Sequence, residues 1–229
     1  MDYKLKDYDK VLSELIEALS KQKINLSSSN ADGRVNSIDN EKELTNLILN
    51  VYKKLPTFKK LNLVVEEQDK PRWWYDILIK DQNLSFFCPI NIKISNFKNS
   101  SADNISSKEG LFFSLTGEIQ EKCPNTWGKY FNLLSKKIKD NSTDYFFIIL
   151  NKDDNSIYFN SLKRLKTLTP NGNNLPFQCK WSENTEIVNR EFNESKKFLL
   201  DVLFKSVKNR AKILDEFFES FKEYLPPKK

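Results

Sequence analysis

Histidine is absent from the 229 residues. Without an imidazole there is no Ser-His-Asp hydrolysis, no His-ligated zinc hydrolase and no nuclease whose base is a histidine. Carboxylate, amide and lysine chemistry remain. Cysteine is scarce as well. Cys88, Cys123 and Cys179 are odd in number, far apart and outside metal-ligand spacing, so they are expected to be reduced core thiols in a cytoplasmic protein, with no zinc site. The five glycines form no Gly-rich phosphate loop. There is no internal repeat and no low-complexity linker, so one domain over residues 1–229 is expected. No apolar run approaches a membrane span, and Met1-Asp2-Tyr3-Lys4 opens a charged stretch unlike a signal peptide. A cytoplasmic protein with no membrane partner is the expectation.

Hydrophobic residues make up 39% of the chain and aromatic residues 13%, enough to bury a sizeable core. The net charge of +6 and pI near 9.0 are consistent with a polyanionic partner such as DNA, but a Lys- and Asn-rich composition produces the same balance without one.

Tyr8, Val11, Leu12, Leu15, Ile16 and Leu19 recur at helical steps, predicting a first amphipathic helix over 5–22. Residues 25–36 read as a polar loop, and Ser37 or Asp39 as the cap of a second helix carrying Leu44, Leu47, Ile48 and Val51. Strand patterns over 61–67, 74–80 and 84–94, broken by turn residues, predict an antiparallel meander. Residues 96–106 read as irregular, and helical spacing resumes at Leu111 and again at Trp127. Tyr145 to Leu150 is a continuous apolar run, expected as a strand buried on both faces of a mixed sheet, with Ile157-Tyr158-Phe159 beside it. A further short strand is expected at 177–181. C-terminal helices over 191–225 follow, with a possible break at Arg210. The fold class is therefore α/β, a central mixed sheet flanked by helices.

The chemistry concentrates in the meander. Alternation puts Cys88, Ile90, Ile92 and Ile94 on one face of a strand and Pro89, Asn91, Lys93 and Ser95 on the other. The same count in the preceding strand sets Asp76 opposite Ile77 and Ile79. A hairpin holding Asp76 near Asn91 and Lys93 makes a small cation-binding cleft. Mg²⁺ takes oxygen ligands from one or two carboxylates plus water and phosphate, and a nearby ammonium stabilises charge developing on phosphorus or orients the attacking water. One Asp and an Asn-x-Lys are equally the ordinary content of a solvated sheet face.

The order acidic residue, strand turn, acidic-x-Lys is the PD-(D/E)XK nuclease pattern. Val65-Glu66-Glu67 before Tyr75-Asp76-Ile77-Leu78 resembles the corresponding run of the EcoRV branch of restriction endonucleases. Lys208-Asn209-Arg210-Ala211 through Lys222-Glu223-Tyr224-Leu225, with Asn104-Ile105-Ser106, resembles the HincII branch. Gly33-Arg34-Val35-Asn36-Ser37 with Asn40-Glu41, and Pro89-Ile90-Asn91-Ile92-Lys93 with Ala102-Asp103-Asn104 and Leu115-Thr116-Gly117, look like the ScaI type. The resemblance implies a restriction-endonuclease-like core and a type II restriction endonuclease. Such an enzyme is a homodimer that cuts double-stranded DNA with Mg²⁺ at a short palindromic site, leaving blunt ends. It implies that Asp76 is the first metal ligand, Lys93 the catalytic lysine and Glu41 a helical carboxylate beside the metal. Glu66 and Glu67 are weaker candidates, better read as a solvated edge.

Asn91 departs from the pattern, standing where a second acidic ligand is usual. Its amide oxygen can ligate a hard cation but brings no charge. Three explanations compete: a natural variant that Glu41 compensates, which the ScaI-like run favours; an engineered inactive form; or a degenerate nuclease that binds DNA without cutting. For DNA contact the candidates are Arg34 and Asn36, then Asn96, Lys98, Asn99, Ser100, Ser101 and Asn104, whose short polar side chains suit base edges and phosphates. Ser107 and Lys108 are candidates for a phosphate at a helix start.

Overall fold

In a computed structural model of the protein, residues 3–26, 33–68, 70, 73–98 and 102–224 are described, residues 33–38 by their backbone alone. A five-stranded mixed sheet is the frame. Its strands are β1 (Val64–Glu67), β2 (Ile77–Lys80), β3 (Phe87–Ser95), β5 (Phe146–Asn151) and β6 (Ile157–Ser161), in spatial order β1-β2-β3-β5-β6. The meander expected from the turn residues is present, since β1 to β2 and β2 to β3 pair antiparallel. β3 and β5 pair parallel, with Asn91 beside Phe147 and Lys93 beside Ile149. A parallel neighbour needs a crossover. Here it contains β4 (Asp103–Ile105), α4 (Lys108–Thr116) and α5 (Trp127–Lys137).

Helices cover both faces, and the alternation within each strand decides which residue meets which layer. On one side α1 (Leu5–Ser20), α2 (Gly33–Val51) and α3 (Pro56–Lys60) pack Leu12, Leu15, Leu44 and Ile48 against Ile77, Ile79, Cys88, Ile90 and Ile92. On the other, α4, α5 and α6 (Phe192–Phe221) bring Phe113, Leu134, Leu199 and Leu203 to Leu78, Phe87, Phe147 and Ile149. β5 is buried along its whole length, as its apolar run requires. The three cysteines are buried free thiols. No helix among the described residues is long and apolar enough to cross a membrane.

Three expectations change. Residues 33–36, read as loop, begin α2, so neither Ser37 nor Asp39 is its cap. Packing decides here: Asn40, Leu44 and Ile48 are buried at four-residue steps, and this stripe outweighs the weak helix propensity of the polar residues before it. The stretch 96–106 is not wholly irregular, because β4 pairs with β8 (Phe177–Cys179), which pairs with β7 (Thr169–Pro170) in a second, three-stranded sheet. Finally α6 is unbroken at Arg210. That guanidinium donates from Nε to Gly172 O (2.7 Å) and from Nη2 to Asn173 O (2.6 Å), clamping a loop to the helix.

Candidate active site

Asp76 stands one residue ahead of β2, and its backbone extends the ladder on both sides. Its N–H donates to Ile90 O at 2.9 Å and its carbonyl accepts from Gln68 N at 2.9 Å. Since Ile77 pairs with Ile90 and Leu78 with Pro89, the next rung sets Asp76 against Asn91. The carboxylate turns onto β3, where Oδ2 accepts a 2.6 Å hydrogen bond from Ile92 N. One strand thus carries Asn91 and Lys93 and also fixes the acid opposite them.

Burial raises the Asp76 carboxyl above the ordinary Asp range, partly offset by the Ile92 N–H and the Lys93 ammonium. Glu41, on α2, is raised by burial and then by the negative charge of Asp76, against the pull of Lys93. The resemblance pairs these two carboxyls, and the structure brings them close enough to repel. Together they line a cleft of about 330 Å³ with Thr45, Glu67 and Gln68.

Asn91 and Lys93 line a different cavity, about 410 Å³, with Trp73, Asn104, Ser107 and Tyr145, and the two cavities share no lining residue. Asn91 Oδ1 is buried there without a hydrogen-bond partner. A buried oxygen with no donor carries a desolvation cost that a cation or a donor group offsets. The cavity wall depends on Gly110 of α4. A Cβ there would lie 2.6 Å from the Tyr145 ring, and that tyrosine donates its hydroxyl to Trp74 O at 2.6 Å.

Two further charged residues belong to this cluster. Asp103, on β4, is raised by burial and held back by Lys93 and by the Trp181 indole, which donates to Oδ2 at 2.7 Å. Lys152 acts on both Glu41 and Asp103. Its N–H donates to Ser95 O at 2.9 Å, where the parallel strands β3 and β5 both end. Lys152 was missed in the sequence; its place two residues after the apolar run is the signal that could have found it, because the C-terminal edge of parallel strands is a common ligand position. Asp103 had no comparable signal, because only the second sheet carries it to the site.

The DNA-contact candidates divide. Asn104 lines the 410 Å³ cavity, and its Oδ1 accepts from Asn171 Nδ2 at 2.7 Å, tying it to the 170–174 turn. Asn96 Oδ1 accepts from Lys98 N at 3.0 Å, an N–H that Asp153 also holds at 2.8 Å, while the Lys98 side chain is exposed. Ser107 is the N-cap of α4, its Oγ accepting from Gly110 N at 2.8 Å. Lys108 donates to Pro124 O and Asn125 O at 3.0 and 2.9 Å and lies over the Trp127 ring. Both are engaged inside the fold rather than displayed for phosphate. Asn99, Ser100 and Ser101, and the side chains of Arg34 and Asn36, lie outside the described residues. Glu66 is an edge residue paired with Lys80 at 2.7 Å.

The donor set suits a hard cation. Mg²⁺ is commonly bound by one or two carboxylates, completed by water and phosphate. Glu41 and Asp76 could supply two, and Asn91 Oδ1 could supply a neutral oxygen. Among the described residues, no three His, Cys, Asp or Glu side chains are gathered tightly enough to cage a metal. Neither a scan against protein-family models nor a search of curated proteins finds a match for this chain.

Proposed function

We propose that this chain is a cation-dependent endonuclease acting on double-stranded DNA, of the type II restriction class with a restriction-endonuclease-like core. One observation carries the reading: Glu41 and Asp76 line one cleft, the Asp76 charge adds to burial in raising the Glu41 carboxyl, and the Lys93 ammonium acts on both. A carboxyl perturbed by burial together with a specific charge partner, sitting in a cleft, is a functional-site candidate.

The residues divide the work. Asp76, fixed by the Ile92 N–H, and Glu41 would hold Mg²⁺, with Asn91 Oδ1 as a neutral third oxygen. The bound ion supplies Lewis acidity toward the phosphate and lowers the pKa of its water. Lys93 orients the attacking water and stabilises negative charge developing on the phosphate oxygens. Lys152 adds positive charge at the strand ends, where a phosphate backbone would pass. Asn104, held by Asn171, presents a fixed amide beside Lys93 for contact with the DNA. Two copies reading a palindrome by two-fold symmetry, with blunt cleavage, complete the proposal. Digestion of unmethylated genomic DNA followed by sequencing of fragment ends tests it. A single short palindrome at every end supports the reading, and random ends or no cleavage rejects it.

A second reading is a protein that binds DNA and does not cut it. The neutral Asn91 favours it. The substitution Asn91→Asp separates the two: cleavage that appears only in the variant identifies a disabled nuclease, and cleavage that falls in the variant identifies Asn91 as a working ligand.

A further inference from the structure

A cavity of about 620 Å³, larger than either cleft at Asp76 and Lys93, lies at the end of the sheet where β5 begins, away from Lys152. It is bounded by the residues before β5, the 162–164 turn after β6 and the first residues of α1 and α6. Four cationic side chains line it, Lys4, Lys163, Arg164 and Arg190, against two acidic ones, Asp140 and Glu191. Some of this charge is already engaged. Arg164 holds Asp9, with Nη1 donating to Oδ2 at 2.9 Å and Nη2 lying 2.8 Å from Oδ1. Glu191 caps α6 by accepting from the Glu194 N–H.

Lys163 and Arg190 are not paired in this way. Lys163 is 3% exposed, yet among the described residues neither it nor Arg190 forms an ion pair. Lys163 Nζ donates to Asn141 O at 3.1 Å and to Asn141 Oδ1 at 3.3 Å, both neutral. The buried Asp144 carboxylate accepts instead from the backbone N–H groups of Tyr145 and Lys163, at 2.8 and 3.1 Å, and exposed Asp140 acts on the ammonium only through space. Arg190 Nη1 donates to Lys163 O at 3.1 Å and Leu165 O at 2.9 Å, which fixes the guanidinium beside Lys163. Burial lowers the pKa of both cations. A buried charge with only neutral partners carries a desolvation cost that an opposite charge offsets.

Two unpaired cations on one wall match a dianion. A phosphate monoester carries a charge of about −1.5 to −2 at pH 7 and three acceptor oxygens, and Arg190 Nε and Nη2 and the third Lys163 N–H bond to nothing among the described residues. Tyr3, Leu5 and Phe192 add apolar wall, and the space far exceeds one phosphate group, so the ligand carries an organic body. We infer that this cavity binds a phosphate monoester of mononucleotide size, with Lys163 and Arg190 holding the phosphate. The site shares no residue with the two clefts and uses no part of the nuclease reading, so either can fail alone.

Isothermal titration calorimetry of the full chain, without DNA or divalent cation, tests it with three probes: adenosine monophosphate, adenosine and inorganic phosphate. The monophosphate is expected to bind with Kd below about 1 mM, and adenosine and inorganic phosphate each about tenfold more weakly or worse. Lys163→Met should weaken the monophosphate about tenfold or more. It should also leave the Tm of the free protein at or above that of wild type, because an apolar chain replaces an unpaired buried charge. Half-buried Arg190→Gln, less demanding on the fold, should weaken binding about fivefold, and Lys93→Ala, at the other cavity, should leave it unchanged. No binding of the monophosphate by wild type overturns the inference. So does adenosine or inorganic phosphate binding as tightly, affinity indifferent to Arg190→Gln, or affinity lost in Lys93→Ala.

Discussion

The Asp76 carboxylate accepts a 2.6 Å hydrogen bond from the Ile92 N–H, midway between Asn91 and Lys93 on β3. The bond does two things that substitution can separate: it satisfies a backbone donor in the sheet, and it aims a charge. Asp76→Asn keeps an acceptor oxygen and removes the charge, while Asp76→Ala removes both. Both variants are expected to lose cleavage, but only Asp76→Ala should also lose stability, by about 1–3 kcal/mol for a partly buried donor left unpaired. Urea unfolding of the two proteins beside wild type measures the difference.

The carboxyls of Glu41, Asp76 and Asp103 are all raised, with burial the first cause in each. In the folded state they hold protons to higher pH than in the unfolded chain. Stability without metal should therefore fall as pH rises from the ordinary carboxylate range through these raised values, and the full penalty should apply at neutral pH. Glu41→Gln is expected to raise the Tm of the metal-free protein at pH 7, by about 2–4 °C for each kcal/mol of repulsion removed in a chain this size. It should also shrink the stabilisation that Mg²⁺ provides. Calorimetry with and without Mg²⁺ at pH 5 and pH 7 reads both effects.

Gly110 has no room for a methyl group against Tyr145. Gly110→Ala is expected to destabilise the fold by about 1–3 kcal/mol despite the better helix propensity of alanine, because the ring it displaces is buried and bonded to Trp74 O. Thermal unfolding checks this, and a rise in Tm would contradict the close packing of α4 on β5.

Lys152 approaches the site only through the pairing of β5 with β3. Lys152→Ala is expected to weaken DNA binding more at low salt than at high salt and to flatten the salt dependence, as the loss of one phosphate contact does. Fluorescence anisotropy on duplex DNA across a salt series measures the slope. An unchanged slope would remove Lys152 from the interface.

The central sheet was legible because its signals are local. Cys88 to Ser95 alternates over eight residues, long enough for a period of two to separate Ile90 and Ile92 from Asn91 and Lys93. The apolar run at β5 announced an interior strand in the same way. Of the second sheet only β8 was legible, as the short strand expected at 177–181, since β4 and β7 have three and two residues and no pattern can form over so few. Asp103 was hidden with β4. Lys108 and Ser107 read as phosphate groups because their partners, the carbonyls of Pro124 and Asn125 and the Gly110 N–H, are set by the folding of α4 rather than by residue type. Polar residues at 208–210 resembled a helix break, but they end the buried half of α6 without ending the helix.

The most direct test is incubation of supercoiled, unmethylated plasmid with wild type and with Lys93→Ala in the presence of Mg²⁺. Wild type is expected to give discrete linear fragments, and Lys93→Ala a rate lower by about 10²-fold or more with DNA binding retained. Equal cleavage by both proteins, or none by wild type on any DNA, would contradict a catalytic site built on Asp76, Glu41 and Lys93.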